Sequence, residues 1–305
     1  MTPVPYDEFG LFHENVVEFD LPVTELPAVR RVETTLGAGR TVSALQWGTF
    51  EPYVVFIHGG AQNAHTWDTV ALALGVSVLA IDLPGHGHSG WRDDGAYTPT
   101  NLADDVAEVV RSHASGAHAV VGMSLGGLTS IELAWRHPEL VRSLLLVDIT
   151  PGVNQDKAKA VTDFVNGPQT FPSFGDLLAR TVEHNPTRSE SSLRRGILHN
   201  AHQTADGAWV WNYDRRSHAT SREEDPAGAE AVVVSFSPLW DHFGEIQCPI
   251  TLVRGSLSPV VDDDDVAEAR RRQPTVRVEV VAGAGHSIQG DRPVELAALI
   301  REIAL

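Results

Sequence analysis

Cysteine is nearly missing from this sequence: Cys248 stands alone among 305 residues. A single thiol excludes an internal disulfide framework, so the fold must rest on its apolar core, and a reducing cytoplasm suits it. Long apolar runs are missing as well. No stretch approaches the ~20 apolar residues that cross a bilayer. Met1–Gly10 has neither a basic start nor an apolar segment of the secretory kind. The expectation is a cytoplasmic protein that does not engage a membrane. Positive charge is scarce: 23 Lys and Arg face 40 Asp and Glu, a formal net charge of −17. That field repels phosphate backbones and anionic lipid, so nucleic acid is not an expected partner. His86 and His88 are spaced like a metal pair but lack a third ligand. Neither a metal nor an organic cofactor is expected.

What is present is a large apolar complement. Hydrophobic residues make up 42% and charged residues 21%, enough to bury a sizeable core. Residues 1–28 are Pro-rich and acidic without clear periodicity. They leave two readings open: an ordered arm, which would be a place for a homo-oligomer contact, or a flexible leader. From Arg30 onward β-rich runs alternate with helical patterns. The β runs are Arg30–Thr35, Thr41–Trp47, Tyr53–His58, Val76–Ile81, His118–Met123, Leu144–Ile149, Ile250–Arg254 and Val276–Val281. Several are continuously apolar, as strands covered on both faces are. Helices are expected at Thr66–Leu74, Thr100–His113, Leu125–Arg136, Asp262–Arg271 and Pro293–Ile303. The pattern predicts an α/β fold with a mostly parallel, twisted sheet of about eight strands. Residues 29–150 and 246–305 form this core. Residues 151–245 are too long for one crossover and are expected to be an inserted helical cap.

The strongest chemical signal is Gly122-Met123-Ser124-Leu125-Gly126-Gly127, between an apolar run and a helical pattern. This is a G-x-S-x-G elbow in strand-then-helix context. A turn that tight leaves no room for side chains at Gly122 and Gly126, and it holds the Ser124 hydroxyl in the open. The Leu125 N–H, at the helix N-terminus, faces developing negative charge.

A second signal, His58-Gly59-Gly60-Ala61, follows the run Val54–Ile57. Together with the elbow it resembles the α/β-hydrolase superfamily. Asp82-Leu83-Pro84-Gly85-His86-Gly87-His88-Ser89 resembles that family's D-x-P-G-x-G-x-S loop, and Ala284-Gly285-His286 stands where the family carries its histidine. The resemblance spans residues ~30–150 and ~248–305, and it implies an α/β-hydrolase fold with Ser124 as nucleophile and His286 as general base. It also implies an oxyanion hole from the N–H groups of Gly60 and Leu125, with Ala61 as an alternate donor. The family often carries its acid in a G-x-x-D pattern after the cap. Here the pattern reads Gly255-Ser256-Leu257-Ser258, and serine cannot offset an imidazolium charge. Some members place the acid after strand 6, which implies Asp148. Asp262 and Asp263 are the remaining candidates, although their acidic run also reads as a solvated helix start.

The implied activity is that of a carboxylesterase or lactonase: hydrolysis of a hydrophobic ester or lactone through an acyl-enzyme. Within the insert, Asp206-Gly207-Ala208-Trp209-Val210-Trp211-Asn212-Tyr213-Asp214 resembles a segment of one bacterial esterase-like subgroup. Trp209 and Trp211 either line the substrate pocket or form the cap's own core, and Ala61 and Met123 are candidate substrate contacts. Resorcylic macrolactones of the zearalenone type belong among the substrates to test. C–C bond hydrolysis, perhydrolysis and a ligand receptor with little turnover are alternatives on the same triad.

Overall fold

The apolar tetrads Val54–Ile57, Val78–Ile81 and Leu144–Val147 have no solvent-facing residue, and each is an interior strand of one sheet. The structure is a computed structural model describing residues 4, 6–218 and 235–304. Parts of two expectations, the arm at residues 1–28 and the cap at 151–245, therefore lie outside the described residues.

In chain order the first half has helix α1 (Phe12–Glu18), strands β1 (Val29–Thr35), β2 (Thr41–Trp47) and β3 (Val54–Ile57), and helix α2 (Asp68–Leu74). It continues with β4 (Val78–Ile81), α3 (Pro99–His113), β5 (Ala119–Met123), α4 (Leu125–Arg136) and β6 (Leu144–Val147). The insert holds α5 (Lys159–Val165), β7 (Thr170–Phe171), α6 (Phe174–His184), α7 (Glu190–Asn200), β8 (Ala201–Gln203), β9 (Trp209–Trp211) and α8 (Leu239–Glu245). The chain closes with β10 (Ile250–Gly255), α9 (Asp263–Arg272), β11 (Arg277–Val281), α10 (Ile288–Asp291) and α11 (Pro293–Ala304).

The main sheet has eight strands in the order β1-β2-β4-β3-β5-β6-β10-β11. Only β2 runs antiparallel to its neighbours; the strands from β4 onward are parallel. Strand alternation sends Val55 and Ile57 into one apolar layer, shared with α3 and α4, and Val54 and Phe56 into the other, shared with α2 and α11. Ile57 pairs with Gly122, Met123 with Val147, and Val147 with Val253. The carboxyl ends of β3, β5, β6 and β10 therefore share one edge, where open α/β sheets hold their ligands.

Two expectations change. The insert is not purely helical: β7, β9 and β8 form a small antiparallel sheet, because Trp209–Trp211 alternates in and out like a strand. Its last helix, α8, packs on α4, and Trp240 and Phe243 belong to the main core. The flexible-leader reading of residues 1–28 also fails for the described ones. Helix α1 packs on α2, and Phe12 is buried against Trp47. No described helix is long and apolar enough to cross a membrane.

Candidate active site

Strand β5 runs into Ser124, whose backbone sits at φ 51°, ψ −121°. A non-glycine residue held there stores about 1–3 kcal/mol of strain. The glycines around it are required by contact. A Cβ on Gly126 would lie 2.3 Å from the Ile57 carbonyl oxygen, and one on Gly122 would lie 2.4 Å from that of Gly126. The turn can close because neither exists. The Ser124 carbonyl accepts from Gly127 (2.8 Å) and Leu128 (3.0 Å), while its hydroxyl caps no helical N–H. Leu125 opens α4, so its N–H lacks an intrahelical partner and points out of the helix start.

One strand over, β6 ends in Asp148, also at positive φ (51°) and wholly buried. Its Oδ1 accepts the Gly255 N–H at 2.9 Å. Its Oδ2 accepts from His286 Nδ1 at 2.8 Å and from the Ser258 hydroxyl. Three donors therefore converge on this one buried carboxylate. With Nδ1 donating, a neutral His286 keeps its lone pair on Nε2. Asp262 and Asp263 are engaged elsewhere. Asp262 caps α9 and pairs with Lys157, and Asp263 pairs with Arg254.

The loop after β3 holds three successive amides. Gly59 N–H donates to Gln62 Oε1 at 3.2 Å, and Ala61 N–H donates to His86 Nε2 at 3.1 Å. The Gly60 N–H between them has no protein acceptor among the described residues. Ala61 as an alternate oxyanion donor is thereby corrected, because its amide is already spent on His86. His88 is turned away toward Glu8, so the two histidines do not share a ligand position.

Beside this loop a cleft, partly open to solvent, lies between cap and core. Ala61 and Gln62 line it from the core, Ser287 and Gln289 from the segment after His286, and Phe164 and Trp211 from the cap. Trp211 thus faces the cleft. Both tryptophans belong to the cap core, and Trp209, edge-on against Phe174, does not line the cleft. Met123 is also removed from substrate contact, at 1% exposure with its sulfur packed over Gly59.

The cleft wall holds a polar network that the motifs did not announce. His65 Nδ1 meets Asp68 Oδ2 at 2.9 Å, His65 Nε2 meets Glu8 at 3.3 Å, and the rings of His65 and His199 stack at 3.7 Å. Tyr6 OH bonds His199 Nδ1 at 2.9 Å. Burial alone would lower the His65 pKa, but the Asp68 charge and the bonds to Asp68 and Glu8 raise it to about 9. Burial and the neighbouring His65 charge push His199 well down. Among the described residues, His65, Asp68 and His199 are the group whose ligand atoms lie close enough to hold a cation, all within 4.8 Å of one another. Gln62 and this network carry no sequence signature, since each is assembled from distant segments, and the donor role of Ser258 shows only once β6 and β10 are paired.

A family model described as alpha/beta hydrolase fold matches residues 52–293. The chain is 44% identical over 304 residues to esterase Rv0045c of Mycobacterium tuberculosis, covering 97% of this chain and 95% of that protein. A crystal structure of that esterase superposes with a TM-score of 0.84, covering 99% of each chain. E-2-(acetamidomethylene)succinate hydrolase superposes at 0.76 over 90% of this chain and 98% of its own, at 23% identity, a likeness of fold.

Proposed function

The chain belongs to the α/β-hydrolase fold family, and from that membership we propose that it is a carboxylic ester hydrolase acting through an acyl-enzyme on Ser124. The observation that carries this reading is the 2.8 Å bond from His286 Nδ1 to a buried Asp148, on the same sheet edge as the strained Ser124 turn. Identity of 44% to an esterase along nearly the whole chain supports the same reaction class.

In this mechanism Ser124 Oγ attacks the ester carbonyl carbon while His286 Nε2 takes the hydroxyl proton. Asp148 holds the imidazole in the required tautomer and offsets its positive charge. Negative charge develops on the carbonyl oxygen, and the N–H groups of Gly60 and Leu125 receive it. Collapse breaks the ester C–O bond, and His286 returns the proton to the leaving alkoxide. A water molecule, deprotonated by His286, then releases the acid and restores Ser124. A lactone follows the same steps with its leaving group tethered. The aromatic side of the cleft, Phe164 and Trp211, suits an apolar portion of the substrate.

The test is hydrolysis of aryl esters and lactones of graded size, zearalenone-type macrolactones included, by wild type and Ser124→Ala in parallel. Turnover by wild type alone, with fluorophosphonate labelling of Ser124, is expected. A folded wild type with neither turnover nor labelling overturns the reading.

A further inference from the structure

The cleft contains an arginine that neither this mechanism nor a carboxylate partner uses. Arg188 stands two residues before α7, and its Nε donates to Ser192 Oγ at 2.9 Å. Its guanidinium lies flat on Gly290: a Cβ there would fall 2.8 Å from Cζ and 2.9 Å from Nη1. A Cβ on Gly285 would likewise meet Thr187 Oγ1 at 3.2 Å. Residues 187–188 of the cap are therefore pressed against both sides of the turn that carries His286.

Among the described residues, no carboxylate lies within 4.0 Å of the Arg188 guanidinium. Asp291 acts on it only at longer range, and the Asp291 Oδ2 is already taken by Gly285 N–H (2.7 Å) and Thr187 Oγ1 (2.9 Å). The other cleft arginine is treated differently, for Arg195 is paired with Glu18 and Glu14. Other described arginines, Arg30 and Arg142 among them, also have no carboxylate within 4.0 Å, but they are exposed; Arg188 is set apart by standing in the wall of the cleft. Burial holds its pKa below the usual guanidinium value. A partly desolvated cation of this kind gains most from a counter-charge brought by a ligand. The one described carboxylate in the cleft lining, Asp68, is bonded to His65, while Asp291 and Glu18 act on Arg188 from outside that lining.

We propose that Arg188 binds substrate, and that the ester this protein takes carries a free carboxylate remote from the scissile bond. The proposal rests on the reading of Ser124 as nucleophile. Gln62 links this cleft to Ser124, which lies beyond its lining. Its Oε1 and the Ser124 Cβ both lie against Gly59, at 3.4 and 3.1 Å from where a Cβ would stand, and Gln62 lines the same cleft as Arg188. The planar guanidinium offers a carboxylate two parallel N–H donors, which an ammonium does not. Leu193, Ile197 and Phe164 beside it accommodate the carbon chain. The substrate class is therefore an amphiphilic half-ester: an apolar body with a carboxylate at one end and the ester at the other.

The experiment compares p-nitrophenyl half-esters of straight-chain dicarboxylic acids of graded length with the same compounds methyl-capped at the free acid. Wild type, Arg188→Met and Arg188→Lys are measured, with circular dichroism as the folding control. The expected result is a wild-type preference for the free acid of about tenfold to a hundredfold in kcat/KM at the best length, carried in KM. In Arg188→Met the acid-to-neutral ratio falls toward one, and Arg188→Lys recovers part of it. A purely structural Arg188 would slow both esters alike and leave the ratio intact, which overturns the proposal, as does a wild type indifferent to the carboxylate. Calorimetric binding of the same half-esters to Ser124→Ala, with and without Arg188→Met, reads the arginine without turnover. Arginine-dependent binding to a protein that proves catalytically inert would retain Arg188 and sink only the hydrolase reading. Equal binding with and without the arginine would sink the Arg188 proposal.

Discussion

Ser258 donates its hydroxyl to Asp148 Oδ2, the same oxygen that accepts from His286 Nδ1. The two residues come from the ends of neighbouring strands, β10 and β6, which pair in parallel register. Ser258, past the end of β10, is here a hydroxyl donor to a carboxylate carried one strand away. A carboxylate at either position can approach the same imidazole.

That relationship gives a reciprocal prediction. Asp148→Asn keeps the shape but removes the charge, and it is expected to lower kcat by about 10³–10⁴-fold, the scale seen when a triad acid is neutralised. Adding Ser258→Asp to that variant is expected to recover at least tenfold of the loss, because the new carboxylate starts beside the vacated one. Steady-state kinetics on an aryl ester decide it. An Asp148→Asn enzyme with nearly wild-type kcat would move the acid to Asp262 or Asp263.

The elbow glycines give a stability prediction independent of activity. In Gly126→Ala the new methyl meets the backbone oxygens of Ile57 and His58 at 2.3 and 2.5 Å, and strand backbone cannot step aside. Urea denaturation is expected to show a loss of about 3 kcal/mol or more, or no folded protein. Gly37→Ala is the control, since nothing lies within 4 Å of its Cβ position. If the two variants are equally stable, the close approach is not what the glycine serves.

The core was legible because its strands announce themselves. Val-Val-Phe-Ile and Leu-Leu-Leu-Val can only be covered on both faces, and each has a βα neighbour of the right length. The eight expected runs correspond to the eight strands of the main sheet, with ends differing by a few residues. Ser124 could be named from its elbow, while Asp148 and His286 were implied by the family resemblance, and the structure places Asp148 against His286. The cap resisted reading because its contacts are not periodic. Trp209 and Trp211 are two residues apart on one short strand and both belong to the cap core, yet only Trp211 also borders the cleft. Met123 follows from the same limit, as alternation along β5 turns it inward beneath Gly59. Arg188 and the His65–Asp68–His199 network depend on the cap's docking position, which no local pattern encodes.

The arm should behave as a strap between core and cap. Glu14 and Glu18 of α1 pair with Arg194 and Arg195 of α7, while Asn15 bonds Thr69 of α2. Arg195 has a side-chain exposure of only 4%, so losing its partners leaves a buried charge uncompensated. The double variant Glu14→Gln/Glu18→Gln is expected to lose roughly 2 kcal/mol, less than a fully buried pair because both glutamates keep some solvent. Asp163→Asn, which removes an exposed pair with Lys159, should change almost nothing. Chemical denaturation of both variants separates a strap from surface decoration, and equal curves would dismiss the strap.

The alkaline limb of stability should be traceable to His65. Its pKa rises from 6.5 to about 9 on folding, because Asp68 and Glu8 hold its proton against the cost of burial. A proton bound more tightly by the folded state stabilises it fully below pH 6.5, and that contribution fades as pH climbs through 9. Glu8 works in the opposite direction. Burial resists its charge, but the bond to His65 and the Arg31 charge lower its pKa from 4.5 to about 2, so its contribution is full above 4.5 and fades as pH falls toward 2. The network therefore supports the fold best between about 4.5 and 6.5. Thermal melts of wild type and His65→Asn from pH 5 to pH 10 test this directly. The gap in Tm between them is expected to be constant up to pH 6.5 and to narrow steadily toward pH 9.5. Glu8→Gln, which removes one of the two groups holding that proton, should narrow the gap earlier. A gap that stays constant across the whole range would mean that His65 contributes packing and neutral hydrogen bonds, and that its charge adds nothing to stability.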